Sequence, residues 1–583
     1  MRRVGLALSS RVSALVPVLL LVAACTTAHA VKVTLCSTDT QAPAGGKSVN
    51  LAQALQAGGS VTFDCGGPAT IRFTRTHVIR VDTQVDGGGT VTLDGNGNAL
   101  GRFDGENDAA TLRLTSLSIL RGGRASPPPS PGGAIGSIGR RMGGVVRGHW
   151  RSVELNAVTI RESWFAVWLT SGRIRALAST FENNDGGVLI GGAIEVGDHT
   201  RFSSNRGSPI SSEGGVVTID RSEFLSNAGP VSVLKGNLRV SHATFTNHQV
   251  ADDGGAIRTG ADTVVEESTF TNNVATHGGA IFVGSAGTVS IRASRFRDNQ
   301  ARQSGGAIAF ARVPVPVALT LRHVTFERNR AAVNGGALAL QRDLRQPVTL
   351  DGGAVAFIAN RATQRGGAID APDASIRLVR GVFVDNQAGK EGGAVAALQQ
   401  GAHEARFANT LLVRNTAPQG AAFWGNAAAF INATIADNTG TAVWARALPI
   451  GPLPTMKTVF PIRFVNTVVA GTTSGACGPL TSGVPYTDGG HNLQFPGGSC
   501  GAAIDSRWPF LGAYYVPLFW SPVIGHGDPA VCDAVPIARK DLYNARRPQG
   551  LATACAIGAV EGDIAHLLHR WTSREDGVLS MRR

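Results

Sequence analysis

Eight times between residues 181 and 386 a phenylalanine is followed three places later by asparagine: Phe181/Asn184, Phe202/Asn205, Phe224/Asn227, Phe270/Asn273, Phe296/Asn299, Phe326/Asn329, Phe357/Asn360 and Phe383/Asn386. Most copies also carry apolar or small residues seven, five and two positions before the Phe, as in Val289, Ile291, Ser294 and Phe296. A period of two broken once describes two short strands joined by a bend, with alternate side chains turned inward. Weaker copies centre on Ile119, Ile160, Leu412, Ile435 and Val469.

A second signature follows each Asn in the later copies. Gly-Gly-Ala precedes an aliphatic residue at Gly278 to Ile281, Gly305 to Ile308, Gly335 to Leu338, Gly366 to Ile369 and Gly392 to Val395. A glycine pair can turn a corner with φ > 0, after which a third strand begins. Such a unit cannot bury a core alone and must stack on copies of itself. At a strand spacing of about 4.8 Å, equivalent residues then form ladders along a rod. The Phe column is expected inside. The Asn column is expected at a turn, where an amide tolerates left-handed backbone and bonds both its own loop and the next Asn. Phe245 is followed instead by His248, read as a tolerated break in the ladder. Composition agrees: 74 glycines in 583 residues and only 16% charged residues argue against a coiled coil or a charge-rich disordered chain.

The paired Phe-x-x-Asn and Gly-Gly-Ala signatures resemble the repeat of polymorphic outer membrane proteins, and residues 31 to 561 are similar to bacterial right-handed parallel β-helix proteins. The resemblance implies an all-β single-stranded solenoid, a right-handed parallel β-helix with a short N-terminal capping helix. Leu51-Ala52-Gln53-Ala54-Leu55 is the stretch that resembles that cap, which hides an open core end. Ser521-Pro522-Val523-Ile524, Arg547-Pro548-Gln549-Gly550 and Cys555 to Glu561 look like the module called choice-of-anchor Q, although Gly525 replaces its usual acidic residue. The expected divisions are a signal peptide over 1–30, cap and first coils over 31–110, repeats over 111–471, a disulfide-containing module over 472–561 and a polar tail over 562–583. Residues 122–150, rich in proline and arginine, read as a loop protruding from the wall.

Arg2 and Arg3, an apolar run through Leu21, and small residues before Cys25 make a secretory leader. Val22-Ala23-Ala24-Cys25 resembles a lipobox, so lipidation at Cys25 is expected, with Ala28-His29-Ala30 the competing cleavage site. The expected address is the outer membrane, through that lipid, or the medium. Cys36, Cys65, Cys477, Cys500, Cys532 and Cys555 fall into three close pairs. In an exported protein they read as disulfides, and sequential pairing is the expectation.

Chemistry is harder to find. Paired carboxylates within about 10 Å, or an acidic Ca²⁺ cluster, would mark a glycan-cleaving enzyme. Asp252, Asp253 and Arg258 flank one Gly-Gly corner and are the weak candidates; Gly525-His526-Gly527 lies 273 residues from Asp253 and reads as coincidence. Trp164, Trp168, Trp424 and Trp444 are read as wall packing rather than sugar platforms. Four places before each Phe, the outward column should run Asp220, Ser241, Glu266, Arg292 and Arg322, changing sign midway. No cofactor and no metal are expected. The net charge of +13 suits an anionic polysaccharide or an envelope surface. Nucleic acid is not an expected partner for an exported chain, and a monomer is expected. The leading reading is a non-catalytic adhesion, envelope-contact or structural protein; the alternative is a polysaccharide lyase or glycoside hydrolase acting on an anionic glycan.

Overall fold

Each strand of the repeat pairs in parallel with its counterpart one coil later, and the pairing keeps register coil after coil. Thr288–Arg292 sets Val289 and Ile291 against Leu319 and Leu321. Arg295–Arg297 sets Phe296 against Phe326, and Ile281–Val283 sets Ile281 against Ile308. Right-handed connections between parallel strands then wind the chain into a right-handed parallel β-helix. The computed structural model describes residues 30–41, 48–97, 100–106, 108–123, 144–284, 287–311, 317–340, 348–399, 403–446, 448–449, 457–458, 461–479, 485–501, 505–550 and 552–562. Cys25, the prolines at 127–131 and the tail beyond 562 lie outside them.

The core is a column of rings. From Phe181 to Phe383, successive phenylalanines stack with centroids 4.6–5.0 Å apart and nearly parallel planes. Each is fully buried, an apolar burial of roughly 1.5–3 kcal/mol per ring before packing is counted. The start of the rod is closed by the helix Leu51–Ala57. Asn50 accepts from the Gln53 amide and Gln53 accepts from the Asn50 amide, a capping box that fixes the helix entry. Leu51, Ala54 and Leu55 then plug the first coil.

The asparagines form a ladder, but not with the geometry their turn position suggests. The left-handed residue is the one before each Asn, such as Asn183, Asp298 or Asp385, at φ of 53°, 54° and 58°. The Asn itself bonds to the coils on either side rather than to its own loop, which corrects the local bond expected of it. Asn184 is the first rung. Its Nδ2 donates to the Ile160 carbonyl of the coil before (3.1 Å) and to Asn205 Oδ1 of the coil after (2.8 Å), and its backbone amide donates to the same Oδ1 (3.1 Å). Asn205 repeats the arrangement, with Nδ2 donating to the Phe181 carbonyl (3.0 Å) and to Asn227 Oδ1 (2.8 Å), which also accepts the Asn205 backbone amide (3.1 Å). After the break at His248 the ladder resumes through Asn273, Asn299, Asn329, Asn360 and Asn386. It continues at Asn415 and Asn438, where the preceding ring is replaced by Leu412 and Ile435.

The glycine pair answers two separate steric demands. Gly305 has φ +71°, and a Cβ there would stand 2.4 Å from the Ile308 carbonyl of its own coil. A Cβ on Gly306 would stand 2.1 Å from the Gly336 carbonyl of the next coil. One glycine makes the corner and its neighbour lets the coils close up.

Two boundaries differ from expectation. The interruption placed at 122–150 is shorter, because Val146–Asn156 is a full strand of the wall, pairing with Arg102–Glu106 and Thr111–Thr115 before it and Val167–Leu177 after it. Its hydrophobic alternation through Val146, Trp150, Val153 and Leu155 carries it into the core. Coils also continue past residue 471, since Tyr486–Asp488 and Leu493–Phe495 still pair with the rungs below.

Asp505 still pairs with Leu493 of the rung below, but the residues after it, to 562, do not extend the rod. They lie against its outer wall. Val516, Leu542, Ala559 and Val560 pack on Ala356, Val382, Val384, Leu411, Val413 and Ala436, and Val523 and Ile557 pack on Val468, Ala470 and Leu493. The positions flanking the core ring are polar in earlier coils, as at Arg295/Arg297 and Thr325/Glu327, and become apolar where this module sits.

Candidate functional site

No side-chain hydrogen bond or ion pair among the described residues joins Asp252, Asp253 and Arg258 to one another. Asp253 Oδ1 takes the His277 ring at 2.8 Å and the His277 amide at 3.1 Å, a rung-to-rung contact. Asp252 is exposed at the turn, its carbonyl accepting the Thr276 amide. Arg258 points outward from Ile257–Thr259, between Ser232 and Phe282 of neighbouring coils. His526, exposed on the C-terminal module, bonds the Ile524 carbonyl. Trp164 and Trp424 are buried in the wall, Trp168 and Trp444 are half-buried, and Trp424 pairs directly with Trp444.

Most wall carboxylates are held in ion pairs between rungs. Arg292 lies 3.4 Å from Glu266, Arg175 3.2 Å from Glu195, Arg328 2.8 Å from Asp298 and Arg414 2.8 Å from Asp385. The outward column keeps its register from Asp220 to Ser241, Glu266, Arg292 and Arg322. One carboxyl differs. Asp370 faces outward between Ala339 and Ala396 yet is buried beside the Gly366 corner, and burial pushes it up to about 6, with Arg365 (3.7 Å) opposing and Glu391 reinforcing the shift. Among the described residues, no three His, Cys, Asp or Glu side chains are grouped to hold a metal ion.

The outward column then meets a recess. Beyond Arg322 the same position is Gly353, and beyond that Val379. An open cleft of about 400 Å³ lies here, lined by Arg322, His323, Asp351, Gly352, Gly353, Arg377, Val379 and Arg380. Gly352 faces inward, where a Cβ would collide with Leu378 Cδ2 at 2.3 Å. Gly353 faces outward, and the Arg322 side chain crosses the space above it, its Cδ 3.2 Å from where a Cβ would stand. Arg322 is thereby laid flat against Asp351, donating from Nη2 to Oδ2 (2.7 Å) and from Nη1 to the carbonyl (2.9 Å). His323 and Arg380 stand on left-handed bend residues at φ of 56° and 59°. Arg377 is the cross-strand neighbour of Asp351, but Asp351 is engaged by Arg322. The described residues offer Arg377 and Arg380 no carboxylate at ion-pair distance.

The sequence reading did not single out this recess. Its signal is Gly352-Gly353-Ala354-Val355, a copy of the corner motif five residues before Phe357 instead of nine after a Phe. The glycine pair falls inside the strand Val348–Ile358, where it removes side chains from both faces.

The recess borders the seat of the C-terminal module. Val379 also touches the cluster of Ala408, Cys532, Ile537 and Cys555. Asn409, Asn432 and Asn466 make a second asparagine column, each left-handed at φ of 47–48°. Asn409 donates to the Lys540 carbonyl and accepts from Arg547, while Asn466 accepts from the Asp528 amide. Arg547 is wholly buried, bonded to the Ala556 and Gly558 carbonyls and paired with Glu561 at 3.2 Å. Burial pushes the Glu561 carboxyl up, and the Arg547 charge opposes it.

Cys36–Cys65, Cys477–Cys500 and Cys532–Cys555 are disulfide-bonded, the sequential pairing. Three disulfides fit an oxidising, exported environment. No helix among the described residues is long and apolar enough to cross a membrane. Wall, ladder and corners together define a right-handed parallel β-helix protein. The family model described as right handed beta helix region matches residues 145–344, the part where the ring and asparagine ladders are established. No curated protein and no solved structure matches the chain.

Proposed function

We infer that this chain is a non-catalytic surface protein, exported and held at the outer membrane by a lipid on Cys25 or released to the medium, acting as a monomer whose long wall contacts an envelope surface or an anionic polysaccharide. The observation that carries the reading is the fate of the wall's acids. Pairs such as Glu266 with Arg292 and Asp298 with Arg328 tie one coil to the next and leave those carboxylates occupied, where a glycosidase needs two poised together. The likeness of the repeats to polymorphic outer membrane proteins, and of residues 521–561 to the choice-of-anchor Q module, supports display at the cell surface. Fold alone does not decide between contact and catalysis.

A lyase or hydrolase of anionic glycans is the second reading, favoured by one observation: burial pushes the Asp370 carboxyl up to about 6, so it takes up a proton in mildly acidic solution, as a general acid must. Chromatographic sizing of acidic and neutral polysaccharides after incubation with the purified mature protein, with and without Ca²⁺, separates the two. Unchanged chain lengths, together with adherence of the protein to whole cells, are the expected result. Shortened chains that persist in wild type and vanish in Asp370→Asn would replace the contact reading with the enzymatic one.

A further inference from the structure

We propose that the recess over Gly352 and Gly353 binds an acidic sugar residue of a polysaccharide, its carboxylate held by Arg377 and Arg380. The proposal rests on the surface-contact reading and gives it a site and a ligand class.

The first support is a charge imbalance. Arg322 is matched to Asp351, but Arg377 and Arg380 have no acid at ion-pair distance among the described residues, and His323 lines the same recess. Guanidinium groups match planar carboxylates through paired N–H donors, so two unmatched arginines on one rung suit that anion. A second support is shape. Isolated exposed arginines such as Arg161 and Arg239 stand on regular wall strands. Here a glycine on the outward column opens a hollow of about 400 Å³, within the roughly 300–1,000 Å³ of small-ligand sites.

The lining indicates what fills it. Val379 is the one aliphatic side chain among the lining residues, and the polar Arg322 side chain lies over Gly353 on the floor. That surface suits a polyhydroxylated ring better than an acyl chain or an apolar peptide. Asp351 supplies an acceptor beside the cations, of the kind a sugar hydroxyl can use. Because the recess runs across the coils of Arg322, Gly353 and Val379, a glycan bound there lies along the rod, with the bare coils on one side and the C-terminal module on the other.

The test is calorimetric titration of the full mature protein with oligogalacturonate at about 0.15 M salt, against its methyl ester and inorganic phosphate. Oligogalacturonate should bind, with the ester and phosphate at least tenfold weaker. Arg377→Ala combined with Arg380→Ala should weaken binding at least tenfold, whereas Arg161→Ala with Arg239→Ala, an equal loss of charge elsewhere, should change it less than threefold. Gly353→Leu keeps every charge and fills the hollow; it too should bind at least tenfold more weakly, with an unchanged far-ultraviolet spectrum. Equal losses in the two double variants, undiminished binding by Gly353→Leu, phosphate binding as tightly as the oligosaccharide, or no binding by wild type would each overturn the site. Adherence to whole cells, measured on the same preparations, keeps the two ideas apart. Adherence without oligosaccharide binding removes the site alone, while absent adherence removes the contact reading beneath it.

Discussion

His248 Nε2 lies 3.2 Å from the carbonyl oxygen of Phe224, the place taken on adjoining rungs by the amide of Asn227 toward Phe202 and of Asn273 toward Phe245. The imidazole keeps the bond to the preceding coil's carbonyl, and its backbone amide still donates to Asn273 Oδ1, but it lacks the amide oxygen that would accept from Asn227 and the side-chain N–H that would donate to Asn273. Its Nδ1 is buried without a partner. Burial holds the group down to about 4 from an ordinary 6.5, so it is neutral in the folded chain at pH 7.

This fixes the sign of a pH effect. A histidine with a depressed folded pKa contributes its stability above the unfolded pKa and loses it as pH falls toward the folded one. Between pH 6.5 and 4 the wild type should lose about 3 kcal/mol that His248→Asn does not lose. Urea midpoints of both proteins at pH 7 and pH 4.5 measure it. Parallel shifts in the two would refute the account.

Asn299 tests the ladder at an unbroken rung. Asn299→Ala strands the Asn273 backbone and side-chain amides and the Phe270 carbonyl in the interior. Unpaired buried groups cost roughly 1–3 kcal/mol each and are not strictly additive, so a loss of about 3–5 kcal/mol is expected in denaturant titration.

The corners predict a contrast between glycines. A Cβ on Gly336 would stand 2.0 Å from the Gly367 carbonyl, backbone that cannot swing aside. Gly214 has nothing within 4 Å of the place a Cβ would take and no left-handed φ. Gly336→Ala should therefore destabilise by more than about 3 kcal/mol, while Gly214→Ala stays within about 0.5 kcal/mol of wild type or gains slightly. Thermal melts of the two variants decide it.

Arg547 tests the seat of the C-terminal module. Arg547→Met leaves Glu561 buried without its counter-ion and empties the acceptors Ala556, Gly558 and Asn409. Removing one partner of a buried pair costs about 3–5 kcal/mol. Limited proteolysis should then cut within 505–562 while the coils stay resistant; uniform digestion of both regions would contradict a separately seated module.

Much of this was legible because ladders repeat. Phe296 and Asn299 recur with a fixed offset, so a single alignment exposes the core column, the corners and the outward sequence from Asp220 to Arg322. The coils centred on Leu412 and Ile435 were legible as weaker copies, but their ladder asparagines Asn415 and Asn438 were not singled out, because no Phe marks the core place there. The bond from each asparagine to the next, as from Asn184 to Asn205, was expected, but its second partner was misjudged: a turn position suggests a local bond, and only the stacked coils reveal the carbonyl of the preceding coil. The recess was missed because Gly352-Gly353 looks like one more corner until its phase against Phe357 is counted. The module's seat left a readable trace in Val382, Val384, Leu411 and Val413, apolar where Arg295 and Arg297 are charged, but nothing in the pattern alone says which segment covers them.

That seat divides the rod into two stretches under different rules for change in length. A whole coil inserted before Ala356 would lengthen the bare part by about 4.8 Å and leave every contact of the module in phase. An insertion among Val382, Leu411 and Val468 would pull Val516, Val560 and Ile557 out of step with their apolar steps at once. Reach is therefore free to vary at one end of this protein, and the clasped end is held to a fixed count of coils.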